Sequence, residues 1–321
     1  MEFKLNVKPS SSPVKSTESV KVLVLGSGPA GLAAALYAAR ADLNPLVLSG
    51  IELGGQAALT STIENYPGFP EGVGGVELGD LFQKQAERFG ARIELDSASS
   101  VDLSNRPFRV STYNKDYLAN ALIIATGASP NHLNVPGEKE MTGHGVSYCA
   151  TCDGWFFKGK QVVVVGGGDS ALEEGLFLTR FASSVTIIHR RDTFRAGAIL
   201  RRRAKEDPKI KFILDSVITR IVGEKVVQGI HIQNVKTQEE TYLPTDGIFI
   251  FIGHTPNTIM FKGQLDLDES GYILVDGKMQ TSVPGVYAAG EAADSVFRQV
   301  ITSAGMGAAA AIQITNFLGK N

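Results

Sequence analysis

The chain has 321 residues, of which 43% are hydrophobic and 20% are charged, and its formal net charge at pH 7 is −2. This composition is typical of a soluble globular protein with one large domain or two of ordinary size. The nearly neutral charge argues against nucleic acid or an anionic membrane as the main partner. No stretch of the sequence reaches the roughly 20 apolar residues of a membrane span.

The first 19 residues are rich in Ser, Lys and Pro and lack the apolar core of a signal peptide. They contain Glu2 and Glu18 but no arginine, unlike a transit peptide. We predict that residues 1–19 form a flexible lead-in and that the protein is cytoplasmic.

A dinucleotide-binding unit is predicted after this lead-in. An apolar strand at Val20–Leu25 precedes a glycine motif, a helical stretch at Leu32–Arg40 and a second strand at Pro45–Leu48. The motif residues are Gly26, Ser27, Gly28, Pro29, Ala30 and Gly31. In this context the first glycine makes a tight turn, the second admits the pyrophosphate and the third permits close helix packing. No acid closes the second strand, so Glu52 is the nearest candidate for the ribose contact.

The two cysteines of the chain, Cys149 and Cys152, lie in a Cys-Ala-Thr-Cys-Asp run. Such a pair in an intracellular protein indicates a redox dithiol or half of a metal site. A closed zinc site needs four ligands, and the five histidines form no second pair at finger-like spacing. A redox dithiol is therefore favoured. Asp153 beside it either supplies a proton to a leaving thiolate or forms the turn before Gly154.

The strand–turn–helix–strand pattern then repeats. Its elements are a strand at Gln161–Val165, the turn Gly166–Ala171, a helix at Leu172–Phe181 and a strand at Val185–Ile188. The residues that follow the last strand include His189, Arg190, Arg191 and Arg195. Arginines at this position indicate a 2′-phosphate and hence NADPH, whereas the alternative is an ordinary exposed basic turn. Two such units imply two nucleotides and a flavoprotein supplied by a nicotinamide.

The remaining signals place the second unit inside the first. Ala121–Gly127 is predicted as a buried strand, Gly285–Glu291 as a strand that ends in glycine and an acid, and Gln299–Leu318 as a closing helix. The predicted fold class is α/β, with two nested Rossmann-like, three-layer nucleotide-binding domains and accessory β-structure. The FAD-binding domain spans residues 20–132 and 255–321. The inserted NADPH-binding domain spans residues 133–254 and carries the dithiol, with chain crossings near His132 and His254.

Several runs together resemble the low-molecular-weight thioredoxin reductases of the bacterial, plant and fungal type. They are GSGPAG from Gly26, GGQ from Gly54, ATGA from Ala125, CATCDG from Cys149, GGGDSA from Gly166, HRRDTFRA from His189, GHTPNT from Gly253 and RQVITSAG from Arg298. The resemblance covers nearly the whole chain after residue 20. It implies a homodimer that passes electrons from NADPH through FAD and the dithiol to the disulfide of thioredoxin.

The resemblance also implies site roles. Cys152 would lie next to the flavin, Cys149 would attack the thioredoxin disulfide, and Asp153 would be the acid/base. FAD contacts would come from Gly26, Ser27, Gly28, Pro29, Ala30, Gly31, Gln56, Asn65, Ala125, Thr126, Gly127, Gly290, Glu291, Arg298 and Gln299. NADPH contacts would come from Gly166, Gly168, Asp169, Ser170, Ala171, His189, Arg190, Arg191 and Arg195.

The sequence departs from the family pattern at two places. Glu291 stands where aspartate is usual, and Asp169-Ser170 stands where Asn-Thr is more common. A carboxylate at position 169 is unfavourable near a pyrophosphate unless it points away or caps a helix.

Two alternatives stay open. One is a reductase of the same fold that uses ferredoxin, a deazaflavin or a different thioredoxin-like acceptor. The other is a non-catalytic nucleotide- or metal-sensing protein.

Overall fold

The computed structural model describes residues 15–50, 53–60, 62–63 and 65–319. Its helices are α1 Pro29–Arg40, α2 Gly75–Arg88, α3 Glu138–Met141, α4 Ala150–Asp153, α5 Asp169–Leu178, α6 Ala198–Glu206 and α7 Val300–Leu318. Its strands are β1 Ser16–Leu25, β2 Leu46–Leu48, β3 Arg92–Glu94, β4 Ser100–Asp102, β5 Phe108–Ser111, β6 Lys115–Ile124, β7 Ala128–Pro130, β8 Val146–Ser147, β9 Gln161–Val165, β10 Ser184–Ile188, β11 Ile210–Ile213, β12 Ser216–Gly223, β13 Val227–Asn234, β14 Glu240–Pro244, β15 Gly247–Ile250, β16 His254–Pro256 and β17 Val286–Ala288. Short 3-10 turns lie at Gly55–Leu59, Gly154–Phe157, Ile259–Phe261 and Gly290–Ala292.

The first sheet has the strand order β3-β2-β1-β6-β5-β4, and β17 pairs with the second half of β6. Strands β3, β2, β1, β6 and β17 are parallel, and β5 and β4 extend the sheet in antiparallel fashion. Strand β17 comes from the C-terminal part of the chain, so this part completes the first unit as predicted. Helices α1 and α7 pack on one face through small alanines, among them Ala34, Ala38 and Ala310, which are all buried.

The second sheet, β11-β10-β9-β15-β8, consists entirely of residues between the two halves of the first sheet. Its strands are parallel and nearly continuous runs of Val, Ile and Phe, because both faces are covered. An antiparallel sheet, β12-β13-β14, contributes Ile218, Ile230 and Ile232 to the cover of one face. The nested arrangement and the accessory β-structure predicted from the sequence are both present.

The two crossings between the units lie side by side. Strand β7 follows the first unit and β16 leads back to it, and they pair antiparallel with His254 opposite Pro130. Gly127 and Gly253 next to these strands have φ angles of +66° and +106°, a region that favours glycine. The crossings expected near His132 and His254 are thus two adjacent extended segments.

Some predicted boundaries were wrong by a few residues. Strand β1 begins at Ser16, so residues 16–19 belong to the sheet and not to a lead-in. These polar residues pair with the equally polar start of β6, where Ser16 lies opposite Lys115, and Glu18 forms an ion pair with Arg92. Helix α1 begins at Pro29 because proline fits the first helical position, where no backbone donor is needed. Residues 1–14 of the predicted lead-in lie outside the described residues.

Among the described residues, no helix is long and apolar enough to cross a membrane.

Candidate active site

A cavity of about 1110 Å³ opens between the glycine turn of the first unit and the dithiol segment of the second. Residues from both units line it, including Gly28 and Gly290 on one side and Cys149, Cys152 and Asp153 on the other. A cavity of this size is suitable for a large organic cofactor.

The residues predicted to contact FAD gather around this cavity. Those that line it are Gly26, Ser27, Gly28, Pro29, Ala30, Gln56, Asn65, Ala125, Thr126, Gly127, Gly290, Glu291, Arg298 and Gln299. Gly31 is the exception: it lies beneath the turn, where a Cβ would overlap the carbonyl oxygen of Gly26. The ribose candidate Glu52 lies outside the described residues.

The glycine turn forms a cradle that fits a pyrophosphate. Gly28 precedes α1, no described side chain caps this helix end, and a Cβ on Gly28 would meet open space. The free backbone N–H groups of the first helical turn therefore face a volume that an anion can fill. The same holds at Gly168, which precedes α5 in the second unit.

Cys149 and Cys152 form a disulfide on the single turn of α4. The backbone N–H of Cys152 donates to Sγ of Cys149 at 3.2 Å, and the hydroxyl of Thr151 lies 3.3 Å from the same sulfur. The redox pair favoured by the sequence is thus present in its disulfide form. Among the described residues, no group of three or more His, Cys, Asp or Glu side chains is arranged to hold a metal ion.

Asp153 follows Cys152 in the chain and is partly buried. Its Oδ2 accepts a hydrogen bond of 2.6 Å from the hydroxyl of Ser147, which also accepts from the backbone N–H of Cys149. Burial raises the pKa of the Asp153 carboxyl, and the Ser147 hydrogen bond opposes this effect in part. A carboxyl with a raised pKa can hold a proton beside the sulfurs, as the acid/base role requires.

Arg298 is the charged centre of the opposite wall. Its guanidinium donates to the carbonyl oxygen of Ser295 at 2.8 and 3.0 Å and lies 2.8 Å from Nδ1 of His254. Burial and the adjacent arginine lower the pKa of His254 to about 4. His254 is therefore neutral near pH 7, and its Nδ1 accepts the hydrogen bond from Arg298.

Two carboxyls near Arg298 have raised pKa values. Burial raises the pKa of Glu291 to about 7, although the charge of Arg298 acts in the opposite direction. Burial also raises the pKa of Glu174 on α5, and one of its carboxyl oxygens is buried without a hydrogen-bond partner among the described residues. Glu174 had no signal in the sequence, because its position facing the cavity depends on how the two units meet.

The second glycine turn, with Gly166, Gly168 and Ala171, continues into α5, and Ser170 reaches the edge of the cavity. The Oδ1 of Asp169 accepts a 2.7 Å hydrogen bond from the backbone N–H of Gly197, which precedes α6. This contact supplies a backbone donor to the carboxylate at position 169.

The arginine loop after β10 is exposed. Arg190, Arg191 and Arg195 form no ion pair with any carboxylate in the described part of the chain, so their guanidinium groups are available to a phosphate. His189 is buried and stacks on Phe194. The sequence reasoning missed Lys236, which pairs with Asp192 at 3.3 Å and Asp215 at 3.0 Å. It thereby neutralises the one acid within this loop.

Comparisons with known proteins identify the family of the chain. The sequence model of the family described as "Pyridine nucleotide-disulphide oxidoreductase" matches residues 20–307. A thioredoxin reductase of Rickettsia felis is 50% identical over 307 residues, which cover 94% of this chain and 99% of that protein.

The chain belongs to the pyridine nucleotide-disulphide oxidoreductases, among the low-molecular-weight thioredoxin reductases. This confirms the predicted fold class and family.

Two solved structures extend the comparison. The thioredoxin reductase of Streptococcus pyogenes superposes with a TM-score of 0.90 at 41% identity and covers 95% of this chain and all of that one. That of Lactococcus lactis in its FR conformation reaches only 0.66 at the same 41% identity, with 94% and 100% coverage. Both structures have the same sequence identity to this chain. The lower TM-score of the second therefore indicates a different arrangement of the two units rather than a different fold.

Glu291 allows a test of the cavity's electrostatics. Its pKa is about 7 in the folded protein and 4.5 in a free carboxyl, so the folded state ionises it at a cost. The flavin-free protein should lose stability as the pH rises from about 4.5 to about 7 and then level off. Glu291→Gln removes this loss, and its advantage should grow over the same range to at most about 3 kcal/mol.

Urea unfolding at several pH values measures this difference. Glu269→Gln, at an exposed position, controls for the loss of one carboxylate. An advantage of Glu291→Gln that shrinks as the pH rises would contradict the assignment.

Proposed function

We propose that the chain is a cytoplasmic, NADPH-dependent thioredoxin-disulfide reductase that contains FAD. The observation that carries the proposal is the position of the disulfide: the sole cysteine pair lies in the wall of the cavity that the predicted flavin residues surround. A second nucleotide unit with three available arginines lies on the same domain as the disulfide.

The proposed electron path follows from these positions. Bound FAD would take two electrons from NADPH and supply them to the disulfide. Reduction breaks the Cys149–Cys152 bond and leaves two thiol groups. Cys149 then attacks the disulfide of thioredoxin, one substrate sulfur leaves as a thiolate, and Cys152 displaces the second as the enzyme disulfide forms again. The net reaction consumes NADPH, one proton and one disulfide and yields NADP⁺ and a dithiol.

Large side chains beside the dithiol support a protein acceptor. Trp155 and Phe156 follow Asp153 and remain 49% and 41% exposed. Exposed neighbouring aromatic side chains are typical of a protein contact surface. The acceptor would bind here, within reach of Cys149 once the dithiol segment moves away from the cavity.

Cys149→Ser separates the two half-reactions. We expect NADPH to reduce the flavin of this variant, because Cys149 is the thiol assigned to thioredoxin, while turnover with thioredoxin is lost. An anaerobic titration should also need one NADPH fewer per chain than in the wild type, since no disulfide remains to accept electrons. Loss of flavin reduction by NADPH in Cys149→Ser would contradict the roles assigned to the two cysteines.

The arginine loop supplies the test for NADPH. Replacing Arg190 and Arg191 with alanine removes donors for the 2′-phosphate, and hydrogen bonds to charged groups contribute about 1.5–3 kcal/mol each. The ratio of kcat/KM for NADPH to that for NADH should therefore fall roughly tenfold or more.

Arg201 and Arg202, which are exposed on α6, provide a matched pair of control substitutions. An unchanged ratio in the double loop variant would place the phosphate elsewhere. If NADPH does not bleach the flavin absorbance of the wild-type protein, ferredoxin or a deazaflavin is favoured as the electron donor.

We further propose a homodimer. Apolar side chains on helices of the first unit remain exposed, among them Val76 at 63%, Ile301 at 43% and Ile312 at 47%. An apolar surface of this kind is typical of a subunit interface. Light scattering of the purified protein measures its mass in solution.

Catalysis also requires the two units to rotate about β7 and β16. The disulfide lines the cavity in this structure, whereas His189 and the three loop arginines lie outside the lining. The nicotinamide must reach the same flavin, so the inserted unit must change its pose. The low TM-score to the Lactococcus lactis structure at equal identity supports such a second arrangement.

Spin labels can report this motion. Tyr113 in the first unit is 87% exposed and Tyr242 in the inserted unit is 47% exposed, so noncanonical labelled residues can replace both. Under anaerobic NADPH, the distribution of distances between them should shift. A pair within the first unit, at Tyr113 and Phe89, is the control and should stay constant. An interunit distribution unaffected by NADPH would speak against rotation.

A further inference from the structure

We propose that Thr151, between the two cysteines, is a catalytic residue whose hydroxyl stabilises the thiolate of Cys149. The inference rests on the role of Cys149 proposed above. The Thr151 Oγ1 lies 3.3 Å from Sγ of Cys149 and 3.4 Å from Nε2 of Gln299. A hydrogen-bonded chain therefore runs from the first unit to the sulfur in the second.

The direction of these hydrogen bonds follows from the contacts of Gln299. Gln299 precedes α7, and its Oε1 accepts a hydrogen bond of 3.1 Å from the side-chain amide of Asn65. In this arrangement Nε2 is the atom of Gln299 that faces Thr151.

Thr151 must then accept from Gln299 and donate to sulfur. A hydroxyl has one hydrogen and two lone pairs. Because Nε2 supplies a hydrogen to Oγ1, the hydroxyl hydrogen is available to Cys149. The disulfide sulfur has no hydrogen of its own, so the hydrogen bond between Thr151 and Cys149 runs from oxygen to sulfur.

Reduction changes the strength of this hydrogen bond. A disulfide sulfur is a weak acceptor, whereas a thiolate carries a full charge, and hydrogen bonds to charged groups are about twice as strong as neutral ones. The Cys149 thiolate would accept from the Thr151 hydroxyl and from the N–H of Cys152 together. Cys152 has no corresponding pair of donors among the described contacts. The geometry thus distinguishes Cys149 as the more readily ionised thiol.

The same hydrogen bond serves both redox steps. When two electrons break the S–S bond, Thr151 stabilises the sulfur that leaves as a thiolate. When that thiolate attacks the substrate disulfide, a new S–S bond forms, one substrate sulfur departs with the electron pair, and the hydrogen bond weakens again. Thr151 and Cys149 lie on one segment and move together. Of these two hydrogen bonds, the one between Gln299 and Thr151 joins the two units, and it must break during rotation.

The test compares Thr151→Val, which keeps the shape but removes the hydroxyl, with Thr151→Ser, which keeps the hydroxyl. The FAD-loaded enzymes are reduced anaerobically with dithiothreitol and desalted. They are then treated with iodoacetamide from pH 5 to pH 9.5, and fragment-ion mass spectrometry separates labelling at Cys149 from labelling at Cys152.

We expect Cys149 to react first in the wild type, because the thiolate is the reactive form. In Thr151→Val the apparent pKa of its alkylation should rise by about 0.5–1 unit, so that labelling near pH 7 slows roughly three- to tenfold. The exposure of Thr151 keeps this effect below that of a buried hydrogen bond. Thr151→Ser should restore the wild-type profile.

The outcomes distinguish this proposal from the one on which it rests. An alkylation profile of Cys149 that Thr151→Val leaves unchanged overturns the role of Thr151. Faster labelling of Cys152 than of Cys149 in the wild type overturns the assigned cysteine roles instead. Flavin absorbance of each variant verifies that the fold and the cofactor are retained. A shift of the Cys149 alkylation profile in both Thr151→Val and Thr151→Ser indicates a packing effect and also overturns the proposal.

Discussion

The disulfide and the glycine turns on the opposite side of the cavity belong to different units of the chain, and the rest of the site depends on this separation. Helix α4 lies in the inserted unit, while Gly26, Gly28 and Gly290 belong to the first. The site is complete only when the units meet in one pose. Few side-chain hydrogen bonds among the described residues span this junction, and the one from Gln299 to Thr151 is among them. A polar junction between domains is compatible with motion.

Arg298 lies in a turn that connects the wall of the cavity to the junction between the units. Asp294 accepts hydrogen bonds from the backbone N–H groups of Val296, Phe297 and Arg298 and so shapes the segment before α7. Arg298 adopts a φ of +51° within this segment. Its guanidinium then contacts His254 in the returning crossing, while Gln299 caps α7 and reaches Thr151. The charged wall of the cavity, the returning crossing and the dithiol segment are therefore connected through two consecutive residues, Arg298 and Gln299.

The sequence was sufficient where function depends on local backbone geometry. Glycine turns between a strand and a helix have a short, ordered signature, so the Gly26 and Gly166 turns and the cavity residues beside them could be predicted. The resemblance added Gln56, Asn65 and Gln299, which belong to no local pattern. Ser147, Glu174 and Lys236 were missed, since their roles arise from tertiary contacts with Asp153, the cavity and Asp192. Strand β1 was predicted too short because its polar start is stabilised by its partner strand rather than by hydrophobic periodicity.

The two departures from the family pattern place carboxylates in two different environments. Asp169 accepts a hydrogen bond from the backbone N–H of Gly197, which links the second glycine turn to the start of α6. Glu291 has no such donor among the described contacts, and burial raises its pKa to about 7. It is therefore protonated in a large fraction of molecules near neutrality. A neutral carboxyl can donate a hydrogen bond as well as accept one. The carboxyl group at position 291 can therefore serve as either partner in a hydrogen bond, whereas an ionised carboxylate only accepts.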